Sequence, residues 1–283
     1  MKIAVISEND FGFANALKNF KHDVKSYSCV EFETICGDVA DGYKPDCIFL
    51  MDDGKIPPAF WNKESIESHF FFNPTLVYFT RESSGQISEN DSKKIMSSDV
   101  VFTQNTHWIV YLAYKRINVY RFPYWVDLSI LSPDDTDRKY DCISSTTDLD
   151  MADSVEAKLS QHGMSFFNNP VPDYKFYNSG KVFLNLDKNM VPPRELFEAS
   201  ACGLPFISIV FEQESEMEAL FEEEREIIYF SSLDECVQRA YVYVRSQRQR
   251  ELLAKKTFYL IEKYHTIEKR VRKFIKEIKI LRS

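Results

Sequence analysis

Glycine is scarce in this sequence, with eight among 283 residues. No two glycines stand two positions apart, so a G-x-G-x-x-G dinucleotide fingerprint is absent. Gly37 and Gly42 have the spacing of a P-loop, but Tyr43 follows where that motif requires lysine. Both a Walker NTPase and a G-x-G-x-x-G dinucleotide enzyme are therefore disfavoured, and a bound phosphate would depend on a helix N-terminus and side chains.

Long hydrophobic runs are missing as well. The longest apolar stretch runs from Trp108 to Tyr114, well short of the roughly 20 residues that span a membrane. The apolar stretch before Glu8 is too short for the core of a signal peptide. We therefore expect a cytoplasmic protein with no membrane span.

The sequence also has no metal-binding pattern. Its six cysteines form no C-x-x-C pair, and none has a histidine at ligand spacing, so we interpret them as reduced thiols. Asp52 and Asp53 are a bare pair before Gly54, not a D-x-D motif at a strand end. We expect no metal site, and activity that does not depend on a metal ion.

The net charge of −8 is unevenly distributed. Residues 243–283 contain 13 Lys and Arg but only 4 Asp and Glu, whereas the rest of the chain is strongly acidic. The acidic bulk argues against non-specific nucleic-acid binding. The simplest interpretation of the basic tail is an amphipathic terminal helix with a solvated basic face; contact with a polyanion is the alternative.

Short apolar strands alternate with helices twice along the chain. This alternation is typical of parallel βαβ units and predicts an α/β fold with two doubly wound, Rossmann-like domains. Residues 129–139 contain Pro133 and a cluster of charges and are interpreted as the linker. The predicted domains are residues 1–132 and 138–264. The predicted strands are 2–7, 46–51, 75–80, 98–103 and 118–122, then 140–144, 181–186, 205–210 and 226–230.

The segment 191–205 is the most informative part of the sequence. Two prolines precede a short helix that ends at Gly203. Arg194 and Glu198 are four residues apart and share a face near the N-terminus of that helix. The helix dipole and an arginine suit a diphosphate, and a carboxylate one turn later suits two ribose hydroxyls. An ordinary surface ion pair is the alternative for these two residues.

The pattern R-x-x-F-E-A-x-A-C-G-x-P at 194–205 resembles the C-terminal domain of GT-B glycosyltransferases. The nearest resemblance is to the CgeB-like spore-maturation branch of the group-1 type. Weaker similarities to this family occur in the same order along the chain, at 98–103, 122–127, 224–230, 232–246, 248–254 and 264–270.

This resemblance implies two Rossmann-like domains with an interdomain cleft, the acceptor on the first and the donor on the second. It also implies that the last helix, residues 265–283, packs back on the N-terminal domain. Glu198 would bind the ribose and Arg194 the diphosphate, with Glu195 beside them. Met190 departs from the family, because many group-1 enzymes have a second glutamate there. The nearest candidates for the remaining phosphate neutralisation are Lys188 and Asn189.

Three further polar residues follow strands of the first half and are candidates for catalysis. Glu82 could orient or deprotonate an acceptor hydroxyl, and His107 could bond the transferred sugar. Asp10 follows the first strand, in the loop that faces the cleft in the family. The alternatives are a solvated loop residue for Glu82, a capping or surface residue for His107, and an N-cap for Asp10.

The resulting functional hypothesis is transfer of a sugar from a nucleoside diphosphate sugar, UDP-hexose by default, to a hydroxyl acceptor. The nucleotide sugar is a co-substrate, and no other cofactor is expected. The acceptor is a glycan, a metabolite or a hydroxymethylated base in DNA, as in phage-type DNA glycosyltransferases. A nucleotide-binding module without catalysis is the alternative from a different class.

Overall fold

The computed structural model describes residues 1–7, 12–28, 38, 42–52, 61, 74–80, 87–134, 137–188, 192–209, 220–222 and 225–283. The chain separates into two compact units. Unit 1 comprises residues 1–123 and 267–283, and unit 2 comprises residues 124–266. Within the described residues, no helix is both long enough and apolar enough to cross a membrane.

Unit 1 contains a six-stranded parallel sheet in the order β2-β1-β3-β4-β5-β6. The strands are β1 (Lys2–Ile6), β2 (Asp23–Tyr27), β3 (Cys47–Asp52), β4 (Thr75–Thr80), β5 (Val100–Thr103) and β6 (Val119–Arg121). The helices of this unit are α1 (Phe13–Asn19), α2 (Glu89–Met96), α3 (Thr106–Tyr114) and, at the end of the chain, α9 (Ile267–Leu281).

Alternate residues of the central strands of unit 1 face two different helical layers. Leu50 belongs to a buried cluster with Ile95 of α2 and Leu112 of α3. Its neighbour Phe49 points the other way, with its ring centre 4.8 Å from that of Phe274 on α9. Because both faces of the sheet are covered, its strands are nearly continuous apolar runs, as parallel strands usually are.

Unit 2 contains a five-stranded parallel sheet in the order β11-β10-β9-β7-β8. The strands are β7 (Tyr140–Ser144), β8 (Phe166–Asn168), β9 (Gly180–Asn185), β10 (Phe206–Ile209) and β11 (Ile228–Phe230). The helices are α4 (Leu149–Gln161), α5 (Tyr174–Ser179), α6 (Arg194–Ala201), α7 (Leu233–Arg245) and α8 (Gln247–Tyr264).

This second sheet also has two covered faces. Phe183 of β9 belongs to a buried cluster with Phe197 of α6 and Ile261 of α8. The adjacent Val182 and Leu184 belong to another cluster, with residues of α4 and α7. The prediction of an α/β fold with two doubly wound parallel sheets is therefore confirmed.

The predicted linker is wrong in its position. The structure divides the chain between Pro123 and Tyr124, nearer the N-terminus than the predicted boundary at 132. Leu128 and Leu131 pack against the buried cluster around Phe197. Arg138 donates hydrogen bonds to the backbone oxygens of Gly180 and Cys202, at 2.7 and 2.9 Å. These contacts attach most of the predicted linker, residues 129–139, to unit 2. At the other end, α9 belongs to unit 1.

Candidate functional site

The topology of unit 2 indicates where a ligand would bind. From β7 the chain moves outward to β8, then crosses back to β9 and continues to β10 and β11. The direction of winding therefore reverses between β7 and β9, and open α/β sheets bind ligands outside the carboxyl ends of the strands at such a point. Helix α6 is the first helix after β9, so its N-terminus lies at this edge of the sheet.

A buried carboxylate lies on the first turns of α6. Glu198 is 7% exposed. Its Oε1 atom accepts a hydrogen bond from Arg194 Nε at 2.6 Å, and its Oε2 atom accepts one from the Tyr177 hydroxyl at 2.8 Å. Each carboxylate oxygen thus has one protein donor and retains further acceptor capacity. The pairing compensates for the cost of burying the charge and fixes the orientation of the carboxylate.

Burial and neighbouring charges shift the pKa values of the ionisable groups around Glu198. Burial opposes the charge on Arg194, but the attraction and hydrogen bond of Glu198 outweigh it and raise the pKa of Arg194. Burial raises the pKa of Tyr177, and the negative charge of Glu198 raises it further. Burial also raises the pKa of Glu195, with added repulsion from Glu198 and Asp187. Arg194 therefore stays charged, whereas Glu195 takes up a proton more easily than an ordinary glutamate.

The N-terminus of α6 differs from those of its neighbours. Asp148 caps α4 through a hydrogen bond from Met151 N, and Ser232 caps α7 through one from Glu235 N. Helix α6 has Pro193 at its N-cap, with no side-chain hydrogen bond from the described residues. The N-cap position of α6 therefore carries no carboxylate that would repel an anion, unlike that of α4, where Asp148 occupies it.

Polar side chains connect the loops at the point where the winding reverses. The Thr146 hydroxyl donates to Asp187 Oδ1 at 2.5 Å, which joins the loop after β7 to the loop after β9. Asn168 Nδ2 donates to the backbone oxygen of Thr146 at 3.0 Å. Asn185 Nδ2 donates to the Ser208 hydroxyl at 2.9 Å. This network gives the ligand-facing edge of the sheet a fixed shape.

The structure brings together three of the predicted site residues, Arg194, Glu195 and Glu198, on α6. Lys188 is exposed, in the loop between β9 and α6. His107 is exposed in the first turn of α3, and the helix is capped by Asn105, whose Oδ1 accepts from His107 N at 2.9 Å. Asp10, Glu82 and Asn189 lie outside the described residues.

Sequence reasoning missed Tyr177. It lies on α5, a helix of six residues that the sequence pattern did not predict, 21 residues before its partner Glu198. Asp173 caps this helix through Phe176 N at 2.8 Å, so the P-D-Y sequence at 172–174 was the available signal. The pairing with Glu198 itself had no sequence signal, because it depends on the packing of α5 against α6.

The described part of the chain shows no cluster of side chains suited to bind a metal ion. No group of three or more His, Cys, Asp or Glu side chains is arranged there to hold an ion. Cys47, Cys142, Cys202 and Cys236 are buried free thiols. Metal independence itself stays a prediction.

Comparison with known proteins gives a fold and a family-model match over part of the chain. Residues 167–276 match the family model described as "Glycosyl transferase-like". A glycosyltransferase from Rickettsia africae superposes with a TM-score of 0.71 at 10% identity, covering 99% of this chain and 98% of that one. Anabaena HepE in complex with UDP and glucose gives 0.69 at 8% identity, covering 99% of both chains. Sucrose-phosphate synthase from Thermosynechococcus elongatus gives 0.63 at 11% identity, also covering 99% of both.

These likenesses confirm the two-domain α/β fold that the sequence motifs imply. At such low identity they establish the fold alone. A search of curated protein sequences gives no significant match.

Proposed function

Because residues 167–276 match the glycosyl transferase-like family model and the whole chain has the GT-B fold, we propose that this protein transfers a sugar from a UDP-sugar to a hydroxyl acceptor. The observation that carries the proposal is the buried carboxylate of Glu198, held by Arg194 and Tyr177 behind the uncapped N-terminus of α6. Anabaena HepE, which has the same fold, binds UDP and glucose.

The donor nucleotide is assigned to α6. The free acceptor positions of Glu198 receive the two ribose hydroxyls. The N–H groups of the first helical turn and the guanidinium of Arg194 hold the diphosphate. In the loop before the helix, Lys188 neutralises more of the diphosphate charge, and Asn189 offers it a further hydrogen-bond donor. Glu195 lies beside Arg194 in the first turn of α6.

The chemical step exchanges one bond to the anomeric carbon for another. The acceptor oxygen forms a bond to that carbon, the bond to the diphosphate oxygen breaks, and UDP leaves with the bonding electrons. The helix N-terminus and Arg194 stabilise the charge that develops on the diphosphate, so no metal ion is required. The proton of the acceptor hydroxyl passes to a base. For this role we propose Glu82, with Asp10 as the second candidate, and for contact with the sugar His107.

The test is a thermal-shift screen of UDP, UDP-glucose, UDP-N-acetylglucosamine and nucleotides with other bases. Binding to the folded state raises the melting temperature in proportion to ln(1 + [L]/Kd). We expect a rise with uridine nucleotides that is lost in Glu198→Gln and kept in Glu156→Gln, a control on the exposed face of α4. The donor assignment is wrong if no uridine nucleotide raises the melting temperature of the wild-type protein.

A nucleotide-binding module without catalysis is the second candidate, and the departure at Met190 favours it. Release of UDP from UDP-sugars separates the two. Both bind the nucleotide, but only a transferase releases UDP, slowly to water and faster when an acceptor is present.

A further inference from the structure

The exposed side of helix α3 in unit 1 is apolar and aromatic. Val110 is 68% exposed, Tyr111 48% and Tyr114 82%, and their spacing places them on one side of the helix. Trp108 and Leu112, on the opposite side, are buried in the core of unit 1. The helix therefore has two apolar sides, and its own sheet covers only one of them.

Helix α3 also differs from the other helices in charge. Among the helices that the structure describes, it is the only one with no Asp, Glu, Lys or Arg. The solvated side of a surface helix is ordinarily polar or charged, and 28% of this chain is charged. Single apolar residues on a surface need no explanation, whereas a cluster of them marks an interaction site. The outer side of α3 is such a cluster.

Two cations follow the last turn of this helix. Lys115 and Arg116 are both exposed, and Lys115 Nζ lies 5.7 Å from the ring centre of Tyr111. Residues 100–126 contain no Asp or Glu, although the chain as a whole has a net charge of −8. The apolar side of the helix therefore ends in a local excess of positive charge. These residues are named the α3 patch: Val110, Tyr111, Tyr114, Lys115 and Arg116.

The composition of the α3 patch favours a lipid surface over a protein partner. Tyrosine and aliphatic side chains beside Lys and Arg are typical of helices that lie in the interface of a bilayer, and the cations are attracted by anionic headgroups. A whole aromatic side chain covers about 150–250 Å². Three partly exposed side chains therefore offer less area than the roughly 800 Å² that each partner of a stable protein complex buries.

We propose that the α3 patch docks unit 1 on a membrane surface that contains anionic lipids. Val110, Tyr111 and Tyr114 enter the headgroup region, and Lys115 and Arg116 lie against the anionic headgroups. The contact is peripheral and reversible, since a short helix side with two cations binds a bilayer weakly. It requires no sugar donor, so it goes beyond the proposed glycosyl transfer, and a failure of either leaves the other standing.

The experiment is co-sedimentation of the full chain with vesicles, in the absence of nucleotides. Vesicles of phosphatidylcholine alone are compared with vesicles that also contain phosphatidylglycerol. We expect binding to the mixed vesicles at low salt, and weaker binding as salt screens the charges. Val110→Ser combined with Tyr114→Ser should lower the partition coefficient by about tenfold or more, because apolar area is no longer buried.

A second double variant tests the cations. Lys115→Gln combined with Arg116→Asn should lower the partition coefficient by about fivefold for each cation removed. The preference for phosphatidylglycerol should disappear with them. Asparagine is chosen at position 116 because Arg116 has a φ of 62°, a conformation that asparagine adopts more readily than most residues.

Tyr259 on α8 provides a matched control in unit 2. It is 56% exposed, and Lys263 Nζ lies 5.5 Å from its ring centre, so the pair has the same spacing as Tyr111 and Lys115. Tyr259→Ser combined with Lys263→Gln should leave vesicle binding unchanged. All three double variants should melt close to wild type, because substitutions of exposed side chains have small effects on stability.

The proposal is overturned if the wild type does not bind mixed vesicles at low salt, or if Val110→Ser with Tyr114→Ser binds them as tightly as wild type. Vesicle binding that is lost only in Lys269→Gln with Arg272→Gln would place the contact on α9 and would also overturn it. Analytical ultracentrifugation tests the remaining occupant. A dimer that Val110→Ser with Tyr114→Ser dissociates, together with no vesicle binding, would show that the α3 patch pairs two copies of the chain.

Discussion

The hydroxyl of Tyr177 lies 2.8 Å from Glu198 Oε2, on the opposite side of the carboxylate from Arg194. Because both residues are buried, this hydrogen bond fixes the rotation of the carboxylate. We expect Tyr177→Phe to weaken binding of a UDP-sugar by about 1 kcal/mol, the net value of a typical hydrogen bond. In steady-state kinetics the loss should appear mainly in KM for the donor.

Tyr174→Phe is the matched control, since Tyr174 is 46% exposed at the start of the same helix. It should leave donor affinity unchanged. Equal donor affinity in wild type and Tyr177→Phe would show that Arg194 alone is enough to position Glu198.

The ribose assignment of Glu198 has its own test. Glu198→Gln keeps the size of the side chain and removes its charge, and should weaken UDP binding by about 1.5–3 kcal/mol, as charge-assisted hydrogen bonds do. Calorimetry with UDP and 2′-deoxy-UDP on both proteins forms a double-mutant cycle. Wild type should prefer UDP, and the variant should lose most of that preference. If the preference is the same in both proteins, Glu198 does not contact the 2′-hydroxyl.

The buried elements of this structure can be predicted from the sequence, whereas the partly exposed ones cannot. Apolar central strands such as β3 and β9 are visible as hydrophobic runs, and the 194–205 motif correctly predicts a helix between two strands. The edge strands β2 and β8 were missed, because they are short and partly exposed. The linker was misplaced because charged residues suggested a solvated segment, whereas Leu128 and Leu131 attach it to a core.

In the basic tail, too, charge alone is a poor guide to which residues are buried. The charge of residues 243–283 favours a solvated basic face, yet Arg270 is buried, with its guanidinium over the ring of Phe122. Helical spacing was the signal available, since Arg270 lies one turn from both Ile267 and Phe274, which are buried on the same face. The pairing of Tyr177 with Glu198 depends on tertiary packing and had no such signal.

The raised pKa of Glu195 predicts a pH dependence of stability. Burial raises this pKa above its ordinary value of 4.5, so the folded state holds the proton more tightly than the unfolded state. The stabilisation is complete below the unfolded pKa and is lost as the pH rises through the folded pKa. Glu195→Gln should therefore be more stable than wild type at pH 7.5 in urea unfolding, with a smaller difference at pH 4. A difference that does not change with pH would contradict this assignment, and Glu156→Gln is the exposed control.

Metal independence is tested by chelation. The charge of the leaving diphosphate is assigned to the N-terminus of α6 and to Arg194, which need no ion. Transfer from a UDP-sugar should therefore continue in excess EDTA at the rate seen without it. Complete loss of activity that Mn²⁺ or Mg²⁺ restores would be the opposite result, and would direct attention to Asp52 and Asp53.

If DNA is the acceptor, the basic tail should carry the contact through its exposed residues. The structure removes Arg270 from that surface, and Lys273 is held by the backbone oxygen of Arg121. The exposed basic residues of α9 are Lys269, Arg272, Lys276 and Lys279, and the first three are the candidates tested. Each neutralised phosphate releases a counterion, so binding to hydroxymethylated DNA should weaken steeply as salt is added.

Replacing Lys269, Arg272 and Lys276 together with Gln should flatten that salt dependence. The slope of log K against log salt should fall by roughly 0.9 for each lost phosphate contact on duplex DNA. Affinity for UDP should not change, because the proposed donor contacts lie on α6 in unit 2. Fluorescence anisotropy of a labelled duplex between low and physiological salt measures the slope. The DNA acceptor is excluded by an absence of binding at low salt, or by an absence of sugar transfer to hydroxymethylated bases, and the acceptor is then sought among glycans and small metabolites.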